Sequence, residues 1–238
     1  MSKLIDVNFD FQAEAGNHLN GKQRDPDKYS HTLQEYNRIL WSKQLPSGYV
    51  FTLCKISENR LYHKSELGEF FLSSDRAIAT FTRRKRLEHI IAQISKDEIE
   101  KFYKIADTIG GIVIWPSNKI DGKMTIKGER GFNHKVSDRL DLTVECIRRY
   151  YRNDNSPLFE TLKRYSNFFS LFVDFKGYVN FFLLQDIVSD DYATVKMATY
   201  FDDFNTSPIP SCVDEYLIYK DNIIKFVELR NARISNLY

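Results

Sequence analysis

The sequence predicts an α+β protein in which a small mixed or antiparallel sheet is packed by a mainly helical C-terminal half. Three observations carry that expectation. Strand-like runs, Tyr49 to Ile56 and Ile112-Val113-Ile114-Trp115, fall in the first half of the chain. Helical spacing governs the second half, as where Leu140, Val144, Ile147 and Tyr151 stand at offsets 0, 4, 7 and 11. At 238 residues, with 18 Phe and 14 Tyr, the chain can bury one sizeable core. The expected organisation is a single domain over 1–238, with an N-terminal strand and loop in 1–30, a sheet-containing part in 31–132 and a helical part in 133–238.

Residues 3 to 11 alternate, Leu4, Val7, Phe9 and Phe11 against Asp6, Asn8 and Asp10, which predicts a strand. Residues 12–29, rich in Asn, Gly and Asp, read as loop. Ser30 is placed to cap a helix to about Lys43 whose Leu33, Tyr36, Leu40 and Trp41 share a face, and Pro46-Ser47-Gly48 stops it. A strand over Tyr49 to Ile56 follows, then two short extended pieces joined at Gly68. Arg83-Arg84-Lys85-Arg86 precedes the apolar stripe Leu87, Ile90, Ile91 and Ile94; it reads either as a solvated helix start or as a phosphate contact. Ser95 and Glu98 form a capping-box pattern for a helix ended by Gly110-Gly111. After the strand at Ile112 comes a loop carrying Gly122, Gly128 and Gly131 among Lys119, Lys123, Lys127 and Arg130, then a helix over 138–152. Ser156-Pro157 opens a helix to about Phe172, and Gly177 separates it from a nearly all-apolar helix, Val179 to Val188. Val195 to Phe201 reads as a short strand and Phe201-Asp202-Asp203-Phe204 as an acidic turn. Ser211 and Asp214 introduce a last helix with Val213, Leu217, Ile224, Val227 and Ile234 inward.

Composition bounds the function. Lys plus Arg number 34 against 32 for Asp plus Glu, a balance that argues against a wholly basic nucleic-acid binder and leaves room for a local patch. Cys54, Cys146 and Cys212 stand far apart without C-x-x-C spacing, so neither a disulfide framework nor a zinc knuckle is expected. Adjacent Asp202 and Asp203 lack a third ligand nearby, and no metal site is predicted. No segment reaches the roughly 18 apolar residues of a membrane span. Phe168 to Val188 is interrupted by Asp174, Lys176 and Asp186. The expectation is a cytoplasmic protein with no membrane partner.

Two stretches carry candidate chemistry. His63, Ser65 and Ser73-Ser74 lie near Glu66, Glu69 and Asp75 in sequence, and an imidazole beside hydroxyls and a carboxylate suits acid-base work; a hairpin with a half-exposed polar face accounts for the same residues. In the second stretch, cations on a glycine-punctuated loop just before a helix N-terminus suit an anion. Lys123, Lys127, Arg130, Arg139 and Arg148 are the candidate ligand-binding residues, although neither a Walker loop nor a dinucleotide fingerprint occurs. Glu145, on the polar stripe Asp141, Glu145, Arg148 and Arg152, is the candidate base, against the bland reading, which the pattern favours, of buried salt-bridge glue.

The phrases H-K-S-E-L-G-E-F-F-L-S-S-D at 63–75, I-D-G-K-M-T-I-K-G-E-R-G at 120–131, D-R-L-D-L-T-V-E-C-I-R-R-Y-Y at 138–151 and F-K-G-Y-V-N-F-F-L-L-Q-D at 175–186 resemble a family of bacterial proteins carried as a domain of unknown function. The resemblance implies a bacterial or phage-borne single-domain protein and brings no activity or cofactor with it. Two functions follow as expectations. One is a protein, enzyme or defence-associated effector, that binds a phosphate-bearing ligand, nucleotide or nucleic-acid end, with His63, Ser65 and Glu145 as proton-transfer candidates. The other is a non-catalytic protein-interaction module that meets a partner or a second copy of itself.

Overall fold

The computed structural model describes residues 4–56 and 60–238. Its first elements are two short helices, α1 (Phe11–Ala15) and α2 (Pro26–Tyr29), capped by Asp10 and Asp25. Both fall almost wholly in the predicted loop, while residues 4–10 of the predicted strand form bends and turns and residue 3 lies outside the described residues. Asp6 and Asp10, the acids that made the alternation, turn back onto the amides of Asn8 (2.9 Å) and Ala13 (2.8 Å) and so compete with an extended backbone. Helix α3 (His31–Trp41) begins where predicted: the Ser30 hydroxyl accepts from the Leu33 amide at 3.0 Å, and Leu33, Tyr36, Leu40 and Trp41 are buried.

The strand expected over Tyr49 to Ile56 is split between two sheets. Strands β1 (Lys43–Gln44) and β2 (Val50–Phe51) form a hairpin around Pro46-Ser47-Gly48, while β3 (Cys54–Ile56) joins the main sheet. The break falls where side chains outbid the ladder: the Leu53 amide donates to Ser42 Oγ (2.9 Å) and the Thr52 backbone engages His63. The main sheet is antiparallel in the order β3-β4-β5-β6, with β4 (Arg60–Ser65), β5 (Gly68–Arg76) and β6 (Ile112–Pro116). Register matters here. β4 pairs with β5 only from Ser65↔Gly68 to Leu61↔Leu72, whereas β6 pairs from Leu72↔Pro116 to Arg76↔Ile112. Beyond Leu72, β5 therefore has one flank without a strand among the described residues.

A 3-10 turn (Lys85–Leu87), α4 (Glu88–Ile91) and α5 (Lys96–Ala106) connect β5 to β6. Ser95 caps α5 through the Glu98 amide, but the Glu98 carboxylate pairs with Lys220 at 3.1 Å. In the second half, α6 (Ile126–Phe132) occupies what was predicted to be a glycine loop; Thr125 caps it through the Gly128 amide at 3.2 Å. Helix α7 (Leu140–Tyr151) buries Leu140, Val144 and Ile147 as predicted, yet it also buries Asp141 and Glu145 from the stripe read as polar. The helix expected over 156–172 breaks at Tyr165 into α8 (Phe159–Arg164) and α9 (Ser166–Ser170). Gly177 does not separate helices but lies inside α10 (Phe175–Phe181), where a Cβ would stand 2.0 Å from the Phe172 carbonyl oxygen. Asp174 caps that helix through the Gly177 amide at 2.7 Å. Val195 to Phe201 makes only an isolated bridge, Val188↔Val195, in place of a strand.

Helix α11 (Val213–Leu237) closes the fold. Its inward face is Tyr216, Tyr219, Ile223, Phe226, Val227 and Ile234, turned from the predicted one so that Val213, Leu217 and Ile224 are only partly buried. It lies directly on backbone at Gly110, where a Cβ would meet Asn231 Oδ1 at 2.5 Å and the Val227 carbonyl oxygen at 2.7 Å. The buried hydrophobic residues form a continuous cluster from Ile5 to Ile234, dense in aromatics around Trp41, Phe172, Phe181 and Phe182. Among the described residues, no helix is long and apolar enough to cross a membrane.

Candidate functional site

The predicted proton-transfer residues, His63 with Ser65 and Glu145, lie in two places with no shared partner among the described residues. His63 is buried, stacked on Phe51 with ring centroids 4.1 Å apart. Its Nδ1 lies 2.9 Å from the Thr52 carbonyl oxygen and its Nε2 2.7 Å from Ser65 Oγ, so both ring nitrogens are engaged. The acids nearby in sequence point elsewhere: Glu69 accepts from the Tyr62 hydroxyl at 2.6 Å and Asp75 pairs with Arg130. Glu145 accepts from Arg148 Nε and Nη2 and from Arg149 Nε, each at 2.8 Å, and Arg149 continues to Asp203. Burial pushes the Glu145 carboxyl up, but the two arginines outweigh it and hold the group below the usual carboxylate range.

The predicted anion ligands are mostly spent within the protein. Arg130, fully buried, donates to Asp75, to the Asp138 carbonyl oxygen (2.8 Å) and to Thr143 Oγ1 (3.0 Å). That second bond pins a joint in which Ser137 and Asp138 both adopt left-handed φ, 49° and 70°, an uncommon state for two consecutive non-glycine residues. Arg139 donates to both oxygens of Asp141, to Thr199 Oγ1 (2.7 Å) and to the Pro208 carbonyl (3.1 Å). Arg148 belongs to Glu145, and Lys123 is exposed on the turn before α6. Lys127, by contrast, lines a cleft.

That cleft, about 300 Å³, lies between α1, α2 and the unpaired flank of β5. In an antiparallel strand a residue's N–H and C=O point the same way, and here those of Ser74 face no strand. Side chains take them instead: the Ser74 amide donates to Asp27 Oδ2 at 2.8 Å, and Lys127 Nζ donates to the Ser74 carbonyl at 2.6 Å. The Ser74 hydroxyl accepts from Asn37 Nδ2 at 3.1 Å, tying this edge to α3. Arg76 holds Asp107 through two bonds of 2.6 and 2.8 Å. Asp25, Asp27, Asp75 and Asp107 thus face Arg24, Arg76, Arg83 and Lys127 around one small space.

Electrostatics in the cleft are unlike those around α7. Burial pushes the carboxyls of Asp27, Asp75 and Asp107 above their ordinary value, against the pull of Lys127, Arg130 and Arg76. Arg24 adds a further mark: its buried Nε–H has no acceptor. A second cavity of about 620 Å³ adjoins, sharing Gln12, Gln23, Arg83 and Asp107, and Arg83 Nη2 donates to Gln23 Oε1 at 2.8 Å on the shared wall. Of these residues, Arg24 and Asp27 lie in the stretch read as loop. The Asp25-Pro26 pair, an N-cap followed by proline at the first helical position, was the signal there. Among the described residues, no three His, Cys, Asp or Glu side chains converge as a metal-binding group.

No curated protein and no solved structure matches the chain. The model of a family of unknown function, DUF6994, matches residues 5–234, and the chain belongs to that family.

Proposed function

We propose that the cleft beside β5 binds a small phosphate-bearing ligand, with Arg24 and Lys127 as the principal anion contacts and Asp27 as a proton donor to a phosphate oxygen. The observation that carries this reading is the buried Arg24 Nε–H, left without an acceptor in a residue that helps to line a cleft of about 300 Å³. A buried unsatisfied donor costs about 1–3 kcal/mol, a cost that a ligand oxygen would recover. Lys127 supports it, since its ammonium donates to one carbonyl, approaches Asp75 at 3.7 Å and is half-exposed. The free thiols of Cys54, Cys146 and Cys212 favour a cytoplasmic setting.

Thermal shift tests the reading. Inorganic phosphate, nucleoside monophosphates and nucleoside triphosphates are titrated against wild type, Arg24→Ala and Lys127→Ala. A ligand at 100 times its Kd stabilises by about 2.7 kcal/mol, which raises Tm by about 5 °C or more in a chain of this size. Wild type shows that rise with at least one phosphate compound, and both variants lose it. No shift with any of them, or an equal shift in the variants, rejects the site. A stable oligomer without any phosphate response supports the protein-interaction reading, for which the exposed Tyr200 and Ile218 beside a 350 Å³ groove are the relevant feature.

A further inference from the structure

The cavity of about 620 Å³ shares Gln12, Gln23, Arg83 and Asp107 with the cleft and is the larger of the two spaces. Its size falls within the range of about 300–1,000 Å³ usual for small-molecule sites. One wall is α5, through Glu100, Tyr103 and Lys104; the other is α1 and the chain on either side of it, through Asp10, Ala13 and Asn17. The walls are fixed to one another, since the Phe11 amide donates to the Asp107 carbonyl at 3.2 Å, and Tyr103 is anchored by a hydrogen bond between its hydroxyl and Thr82 Oγ1. Polar groups here are largely uncommitted. Asp10 gives one oxygen to the Ala13 amide at 2.8 Å. Among the described residues, the side chains of Asn17, Glu100 and Lys104 meet no partner, although Glu100 and Lys104 stand one helical turn apart. Charge also differs between the two spaces: the cleft has as many cations as carboxylates, whereas the cavity sets Asp10, Glu100 and Asp107 against Arg83 and Lys104.

We propose, on the reading that phosphate occupies the cleft, that the adjoining cavity receives a polyhydroxylated ring esterified to that phosphate. The ligand is then a phosphate monoester, either a sugar phosphate or a nucleoside monophosphate. The carboxylates of Asp10 and Glu100 and the amide oxygen of Asn17 accept from ring hydroxyls, while Asn17 and Lys104 donate to ring oxygens. Because these side chains of Asn17, Glu100 and Lys104 are uncommitted, they exchange solvent for ligand without breaking a bond within the protein. Acids at this end oppose a second or third phosphate, which separates a monoester from a triphosphate. Tyr103 supplies the aromatic face of the lining, the surface against which the base of a nucleotide would lie.

Isothermal titration calorimetry on the full chain compares inorganic phosphate, glucose 6-phosphate, ribose 5-phosphate, AMP and ATP. At least one monoester is expected to bind about tenfold more tightly than inorganic phosphate and than ATP, a gain of the size that two hydrogen bonds supply. Glu100→Ala and Asn17→Ala, both at exposed positions, should each weaken that ester about fivefold and leave inorganic phosphate unchanged. Arg24→Ala, in the cleft, weakens every compound. An affinity for AMP above that for ribose 5-phosphate, with the excess lost in Tyr103→Leu, assigns the ring to a nucleotide; a sugar phosphate binding as tightly as AMP assigns it to a sugar. Inorganic phosphate binding as tightly as every ester, ATP binding more tightly than AMP, or ester affinity untouched by both alanine variants overturns the proposal and leaves the cleft as a phosphate site. No binding by any compound overturns both.

Discussion

Around α7, the buried Arg130, Arg139, Asp141 and Glu145 are each held by several partners, whereas the cleft beside β5 keeps half-exposed Lys127 and leaves Arg24 Nε–H unmatched. Both regions concentrate charge, and both draw it from strongly polar phrases of the sequence. Their difference is saturation. A guanidinium with every donor engaged can accept a ligand only by breaking bonds already made, so its charge serves the fold. An unmatched donor has no such debt, which is why the anion proposed above is assigned to Arg24 and Lys127.

The sharpest way to break this contrast is Arg139→Ala. It strands Asp141, which is fully buried, without its cation, and a loss of about 3–5 kcal/mol is expected in urea unfolding. The double variant Arg139→Met with Asp141→Leu should lose less than Arg139→Ala alone, because no unpaired charge remains. A cost below about 1 kcal/mol for Arg139→Ala would mean the cage is not saturated.

Opposite pH signs provide the second comparison. The folded state holds Glu145 below its ordinary value, so its contribution is present above pH 4.5 and is lost as pH falls through the lowered value. Glu145→Gln should cost about 2 kcal/mol at pH 7 and flatten the acid limb of a Tm-against-pH curve. Asp27 runs the other way: its raised value makes its contribution full below pH 3.8 and lost as pH rises. Asp27→Asn, whose amide oxygen can still accept from Ser74, should therefore stabilise the protein at neutral pH by about 0.5–1 kcal/mol, with the gain gone in acid. A variant less stable than wild type at pH 7 would show Asp27 to be held as a carboxylate. Smallest of all, Lys127→Met should change stability by no more than about 0.5 kcal/mol, since exposed pairs contribute little. Calorimetry showing a larger loss would move Lys127 to the structural side of the comparison.

Much of the fold was legible where local chemistry and tertiary demand agree. Ser30 and Ser95 cap the helices they were expected to cap, and the 60–75 phrase is a hairpin. Legibility failed where side chains compete with backbone ladders. Asp6 and Asp10 turned an alternating stretch into turns and a cap, and Thr52 with Leu53 divided one strand between two sheets. The glycines at 128 and 131 read as loop, yet the Thr125 cap and buried Ile126 and Arg130 make that segment helical. Cations on this loop and on α7 looked available for an anion because sequence alone does not reveal which carboxylate meets them. Asp75, 55 positions from Arg130, supplied the partner. The cleft stayed hidden for a related reason: it depends on β5 outrunning β4, a matter of register rather than composition.

The clasp of α11 on Gly110 bears on how quickly the native state is reached. Asn231 accepts from the Gly110 amide across 121 positions, and Arg230 binds the carbonyls of Gly110 and Ile112 across 120 and 118. Until that helix docks, the carbonyls leading into the last strand lack their donor and the glycine turn lacks its lid. Closing so long a loop costs chain entropy before these contacts repay it, so docking of the last helix is expected after the local hairpin pairings.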